Sequence, residues 1–490
     1  MSLNDLLINL DRALPLTILT VWACALLIID LFIPKDRKGW TPLLAALGLL
    51  VTLGVVIARS GYTYTAFGGM LVVDGFSTFL SVLLLASGLA AIALAYDYLK
   101  RTGLERGEYY TLLLFSVLGM MLMTGAADLI IIFLALELLS IPLYVLAGIA
   151  VPRIDSEEAS IKYFLLGAFS SGFVLYGIAM VYGATSSTLL ADIVASISSG
   201  AANPMLLIIG AGLLVVGLGF KIAVVPFHMW TPDVYEGAPT SVTAFMAVGA
   251  KVAGFAALLR VFVLAFPSLS PSITPVLWII AALTMILGNV VAIAQTNIKR
   301  LLAYSSIAHA GYILMALVPY GQSDVSSASV ASALFYLVAY AFTSFTAWAV
   351  VITLEHSLSD QGDTRGLSLG DYAGLGRKAP ALAAAMTVAM LSFTGVPPTL
   401  GFVGKFYLFS TVVAGGFIGL ALIGVLTSLI SAYYYLRVVV MMYMRDGEPR
   451  IYRENWLYFT ALAAAIGTVV LSIFSTPLFN WASQAVLRLF

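Results

Sequence analysis

The sequence predicts an all-α, polytopic membrane protein of about 14 transmembrane helices, and three observations carry that expectation. Of 490 residues, 61% are hydrophobic and only 10% charged, with a mean hydropathy of +1.03, against about 25% charged residues in soluble domains. Apolar stretches of about 20 residues, the length that crosses a hydrocarbon core of about 30 Å, recur along the whole chain. Of the 18 Lys and Arg on the connections and chain ends, 15 fall on alternate connections. A soluble fold is excluded, and a net charge of zero gives no reason to expect a nucleic-acid partner. The single cysteine, Cys24, excludes a disulfide framework, a Cys-ligated iron–sulfur cluster and a Cys-based zinc site on this chain. No basic region precedes the first apolar run, which therefore reads as a retained helix and not a signal peptide.

Taken in order, helices 1 to 3 are expected near 15–33, 42–57 and 76–98, and helices 4 and 5 near 109–124 and 128–150. Helix 6 (156–183) is opened by Asp155 with Glu158 three residues on, the spacing of a capping box. Helix 7 (204–237) is too long for one straight span and contains Pro226 and Pro232. Helices 8 to 11 fall near 240–264, 274–294, 299–319 and 327–356. Helix 12 (380–414) is again overlong and interrupted by Pro397 and Pro398, and helices 13 and 14 follow near 417–444 and 456–487.

Fifteen Lys and Arg residues, from Lys35 to Arg453, lie on the connections after odd-numbered helices, against Arg12, Arg59 and Arg488 on the other side. By the positive-inside rule the odd connections face the cytoplasm of a bacterial plasma (inner) membrane, with both termini outside. Helices 7 and 12 are five apart, both overlong, both broken by proline, and each carries a lysine beside a Gly-Phe pair (Lys221 and Lys405). An odd offset reverses orientation, so helices 4–8 (109–264) and 9–13 (265–444) are expected to form inverted repeats. Helices 1–3 (1–108) and helix 14 (445–490) flank them within one membrane domain.

Four ionisable residues, Glu137, Lys221, Lys251 and Lys405, sit deep in these apolar stretches. Each costs roughly 2.5–3.5 kcal/mol near the bilayer centre, or about 10–14 kcal/mol together. Buried charge next to a broken helix is the pattern of ion-translocating membrane proteins. For Glu137 the bland reading is interhelical glue. A Glu–Lys pair of variable separation is also a proton switch, because burial and a nearby carboxylate move a lysine in opposite directions. Glu137 is therefore expected within salt-bridge or one-water reach of Lys221, both facing the interior. Lys162 is a candidate for a proton relay, the alternative being that it snorkels, since it lies about two turns from its helix end. His309 lies in a hydroxyl-rich helix opening with Tyr304 and Ser305, all three candidates for a proton relay, the alternative being a satisfied core histidine. His228 falls in the helix 7 break as a loop brace and His356 at a helix end as a surface residue. Three scattered histidines do not suit a bis-His haem. No phosphate loop, nucleophile elbow or His-Glu-x-x-His run occurs.

Three segments, 221–239, 297–309 and 395–405, together resemble the antiporter-like subunits of respiratory complex I over almost the whole chain. The resemblance implies a fourteen-helix fold with one proton channel. It also implies proton-handling roles for Glu137, Lys221, Lys251 and Lys405, which match a helix 5 glutamate, helix 7 and 8 lysines and a terminal helix 12 lysine. The Val-Tyr-Glu-Gly-Ala-Pro turn at 234–239, lysine rather than glutamate at 405, and an end soon after helix 14 all resemble one of the family's three branches. It further implies a non-redox translocase subunit of NADH:quinone oxidoreductase. NADH, FMN, iron–sulfur clusters and quinone are then expected on other subunits, and further antiporter-like membrane-arm subunits are its partners. The rival readings are a cation/proton antiporter subunit without redox coupling and a structural subunit with fixed ion pairs.

Overall fold

Each of the fourteen expected segments is helical in the computed structural model, which describes residues 3–34, 37–357, 364–485 and 487. Lys35 and Arg488, both counted in the charge asymmetry, lie outside the described residues. The chain begins with a short amphipathic helix α1 (Leu3–Arg12), then α2 (Leu14–Phe32) and α3 (Trp40–Ala58). A hairpin of β1 (Tyr64–Ala66) and β2 (Leu71–Val73), antiparallel with Thr65 opposite Val72, leads into α4 (Gly75–Arg101). Then come α5 (Gly107–Gly125), α6 (Leu129–Ala147), α7 (Ile154–Thr185) and a short α8 (Leu190–Ser198).

The expected helix 7 is two pieces, α9 (Pro204–Ile222) and α10 (Trp230–Gly237), and α11 (Thr240–Leu259) runs on into a π-helical turn, Arg260–Ala265. Helices α12 (Ser270–Ile293), α13 (Ile298–Leu317) and α14 (Ser323–Leu354) precede a two-residue pairing of β3 (His356–Ser357) with β4 (Thr364–Arg365). After a short α15 (Leu375–Lys378), the expected helix 12 is again two pieces, α16 (Pro380–Thr394) and α17 (Leu400–Ala414). The chain closes with α18 (Ile418–Met444), α19 (Asn455–Ile473) and α20 (Ser475–Gln484). Among the described residues, 12 helices are long and apolar enough to cross a membrane, and α16 and α17 are shorter apolar helices.

Polar side chains placed at helix starts explain where several helices begin. Asp74 accepts from Ser77 N while Ser77 Oγ accepts from Asp74 N, a reciprocal box that opens α4. Asp128, Asn203 and Asn297 each accept from two backbone N–H groups at the starts of α6, α9 and α13. Helices α11 and α14 are buried on nearly every face and form the centre of the molecule. The outer helices turn one apolar face outward, as with Phe169 on α7 and Leu429 on α18. Helices α7 and α9 meet through glycine: a Cβ at Gly217 would come within 2.2 Å of Val174 Cγ2.

Three expectations need correction. The capping box at Asp155 does not form. Helix α7 starts earlier, at Ile154, so Asp155 lies inside its first turn with Glu157, where acids favour the helix dipole instead. Helix 14 does not run straight to 487, since it stops at Ile473 and restarts at Ser475. Lys299, counted as a loop cation, is 1% exposed, and its ammonium donates to the Ala238 carbonyl at 2.7 Å. Helices α1 and α8 and both strand pairs were not foreseen, because segments of two to ten residues leave no long apolar run to read.

Candidate functional site

Both expected helix breaks are present, and their ends carry the deep lysines. Helix α9 ends one residue after Lys221, where Ala223 turns left-handed at φ 61°. Helix α16 ends at Thr394, where Gly395 does the same at φ 88°. A helix ending inside the protein leaves carbonyl groups without partners and a partial negative charge. Lysine ammoniums occupy both ends. Lys251 Nζ, on α11, reaches the Ile222 carbonyl at 3.5 Å and the Ser306 carbonyl at 2.6 Å. Lys405 Nζ, on α17, donates to the Phe393 and Thr394 carbonyls at 2.8 and 2.9 Å and to Ser428 Oγ at 2.6 Å. Lys221 Nζ donates to Ser140 Oγ at 2.8 Å and Tyr163 OH at 3.2 Å.

All three lysines are buried, at 3–4% exposure, and among the described residues none of them forms an ion pair. Each also faces a tyrosine ring: Lys221 over Tyr163 at 5.4 Å, Lys251 over Tyr340 at 5.6 Å and Lys405 over Tyr312 at 4.7 Å. Hydroxyl, carbonyl and ring-face contacts stabilise an ammonium without fixing it as a carboxylate would.

Of the salt-bridge or one-water reach expected between Glu137 and Lys221, the salt bridge does not form among the described residues. The Glu137 carboxylate is half-buried and accepts a short hydrogen bond from Ser171 of α7. The two remain linked through α6, because Ser140, one turn beyond Glu137, holds the Lys221 ammonium. They are also within electrostatic reach. Positions three apart on a helix are only about 60° apart, and packing turns Ser140 toward α9 and Glu137 toward α7.

His309 is 2% exposed and lies within electrostatic reach of both Lys251 and Lys405. Its Nδ1 lies 2.6 Å from Tyr336 OH and its Nε2 3.1 Å from Tyr435 OH, and Tyr435 in turn bonds Ser305. Tyr340 OH donates to Ser306 Oγ at 2.9 Å, beside the carbonyl that holds Lys251. Ser305 thus joins the cluster as expected. Tyr304 does not: it is half-buried against the core and its side chain makes no hydrogen bond among the described residues. Tyr336, Tyr340 and Tyr435 take the place expected for it. They lie on α14 and α18, and nothing in their local sequence sets them apart from the other tyrosines of this chain.

Lys162 pairs with Glu158 at 2.7 Å and Asp233 at 2.8 Å, with 41% of its side chain exposed. Arg300 joins the same group through Asp233 and Glu236, around a polar recess of about 380 Å³. Lys162 is thus a partly exposed lysine held in a cluster of ion pairs, apart from the three buried lysines. Pro226 lies in the first break, where His228 is half-buried, and Pro397 and Pro398 lie in the second. His356 is half-buried and its Nδ1 lies 3.0 Å from the Leu354 carbonyl. A buried ion pair was missed entirely: Arg260, in the π-helical turn, bonds both carboxylate oxygens of Asp74 at 3.0 and 3.1 Å, with both side chains at 0% exposure.

A bundle with two broken helices and buried, unpaired lysines at the breaks defines an antiporter-like membrane protein. The transmembrane family of NADH:quinone oxidoreductase and Mrp antiporters matches residues 126–431, and the chain belongs to that family. Its relatives include NADH-quinone oxidoreductase subunit N of Trichlorobacter lovleyi, 46% identical over 488 residues, 98% of this chain and 97% of the relative. The subunit N of Chloroflexus aggregans is 45% identical over 98% of both chains. That is the branch expected from the turn at 234–239 and from Lys405. Among solved structures, a chain of respiratory complex I from Thermus thermophilus with bound aureothin is similar at a TM-score of 0.82. It is 36% identical, over 96% of this chain and 99% of that one. A chain of the Mrp complex from a Dietzia species shares the fold, with a TM-score of 0.84 at 20% identity over 96% of this chain and 97% of that one.

Proposed function

We propose that this chain is a proton-translocating membrane-arm subunit of NADH:quinone oxidoreductase, a translocase subunit that carries no redox centre of its own. Quinone reduction elsewhere in the complex supplies the free energy. This chain uses it by cycling Glu137, Lys221, Lys251 and Lys405 between charge states. NADH, FMN, iron–sulfur clusters and quinone belong to other subunits, since one cysteine cannot supply a cluster's ligands. Its partners are other membrane-arm subunits, including further antiporter-like ones. Its repeats at 109–264 and 265–444 are inverted copies, and both termini face outward.

The observation that carries this reading is the row of three buried lysines held by hydroxyls, ring faces and helix-end carbonyls, none locked to a carboxylate. Fixed ion pairs would suit a scaffold, whereas an ammonium with neutral partners is free to lose its proton. Between Lys251 and Lys405, His309 and its tyrosine hydroxyls supply groups that exchange protons.

The test replaces Lys221 or Lys405 with methionine, which keeps most of the apolar volume and removes the proton site and its desolvation cost. Assembly should survive, while proton uptake coupled to quinone reduction in reconstituted vesicles falls by roughly tenfold or more. An assembled Lys221→Met complex with full coupled activity would reduce this chain to scaffold.

A further inference from the structure

A lateral groove of about 460 Å³ opens between α3, α4, α14 and α19, away from the lysine row. Alanines on all four helices make the space, among them Ala46, Ala90, Ala341 and Ala463. Its lining offers almost nothing polar. Ser87 Oγ already donates to the Leu83 carbonyl at 2.7 Å, and Thr460 Oγ1 to the Trp456 carbonyl at 2.8 Å. Away from the end lined by Tyr96 and Trp456, a ligand that needs hydrogen bonds finds none in the slot, so what fills that part is hydrocarbon.

Along α4 the lining runs from Leu83 to Tyr96, a rise of about 20 Å. Half of a hydrocarbon core is about 15 Å. The groove is therefore long enough to span one leaflet.

One end of the groove is aromatic and cationic. Tyr96 and Trp456 line it, and Trp40 stands nearby at the start of α3, 60% exposed. Lys100 lies one turn beyond Tyr96, its ammonium 4.0 Å from the ring centroid, and a Cβ at Gly39 would come 3.3 Å from Nζ. The neighbouring cations are already neutralised, Arg101 by Glu454 at 3.0 Å and Lys38 by Asp30 at 2.7 Å. Lys100 is exposed and among the described residues makes no ion pair. This is also the side on which the Lys- and Arg-rich connections lie.

We propose that this groove is a binding site for one anionic phospholipid, with an acyl chain between α4 and α19, its glycerol level with Tyr96 and Trp456, and its phosphate on Lys100. Aromatic residues at the interface and an unpaired cation one turn outside fit that occupant.

The test uses the assembled complex in nanodiscs, photolabelled with phosphatidylglycerol carrying a diazirine near the end of one acyl chain. Phosphatidylcholine bearing the same chain is the control, and labelled peptides are mapped by mass spectrometry. Labelling of α4 and α19 segments lining the groove should be several-fold stronger with phosphatidylglycerol. Lys100→Gln should remove that preference, and Ala90→Leu with Ala463→Leu should remove the labelling. Equal labelling by the two lipids in the unmodified complex overturns the phosphate contact and leaves an unselective annular site. Displacement of the label by excess long-chain quinone, or no label in these segments, overturns the proposal in favour of a quinone tail or a covering subunit. The comparison of two lipids on unmodified complex decides the matter even where a variant fails to assemble.

Discussion

Lys221, Lys251 and Lys405 were visible in the sequence because a charge inside twenty apolar residues has few bland explanations. Their partners were not visible. A tyrosine in a membrane helix reads the same whether it faces lipid or His309, and the backbone carbonyls at a break carry no sequence signature. Whether Glu137 and Lys221 form a salt bridge or a longer-range link was not visible for the same reason, since side-chain azimuth around α6 is set by packing. Lys162 gives a contrast: exposed pairs of its kind contribute about 0.2–1 kcal/mol, so Lys162→Ala should leave coupled proton uptake within about twofold of the unmodified complex. A tenfold loss there would place Lys162 on the proton route. Arg260→Met should strand Asp74 in a dry site, destabilising the subunit by about 3–5 kcal/mol. Retention of the subunit during a temperature series of detergent extraction reads this. Adding Asp74→Leu should recover part of the loss, but not all, because Asp74 also caps α4.

Helices α9–α10 and α16–α17 were foreseen as broken from their length and prolines, whereas the residue that makes each turn was not. Gly395 and Ala223 occupy the left-handed region at equivalent places. An L-residue with a Cβ pays roughly 1–2 kcal/mol there, so Ala223→Gly should be neutral to slightly stabilising and leave turnover unchanged. The reverse change is different in kind. At Gly395 a Cβ would come 2.9 Å from Lys405 Cδ, besides adopting a strained φ. Gly395→Ala should therefore move the Lys405 ammonium and lower coupled turnover several-fold while the complex assembles. Equal effects of the two substitutions would mean that the break is only a bend.

For the molecule as a whole, composition, helix order and the lopsided distribution of Lys and Arg were all legible, because a bilayer imposes length and charge rules directly on sequence. The centrality of α11 and α14 was legible only weakly, as helices apolar on every face. The orientation inferred from the charge count is tested with one substitution per side in a Cys24→Ser background. Ser60→Cys, after α3, should react with a membrane-impermeant maleimide added to intact cells. Thr102→Cys, after α4, should react only once the membrane is opened. The opposite pattern would invert the topology and with it the direction of pumping.

On the proposed function, the lysine at each broken helix end does more than gain and lose a proton. Phe393 and Thr394 lack the next helical turn, and Lys405 supplies the hydrogen bonds that turn would have supplied. While the amine is charged, it completes the helix electrically. When it discharges, the attraction holding those carbonyls weakens and water competes for them. The fracture in the helix would then act as a transducer, much as a piezoelectric crystal does: filling or emptying a single site would shift backbone, and displaced backbone would change how readily the site fills. Isotope-edited infrared bands of the Thr394 carbonyl should shift with proton uptake and stay fixed in a Lys405→Met complex. Such a device ties a charge to a displacement at the scale of one peptide group, and a chain with two fractures has two of them to set against each other.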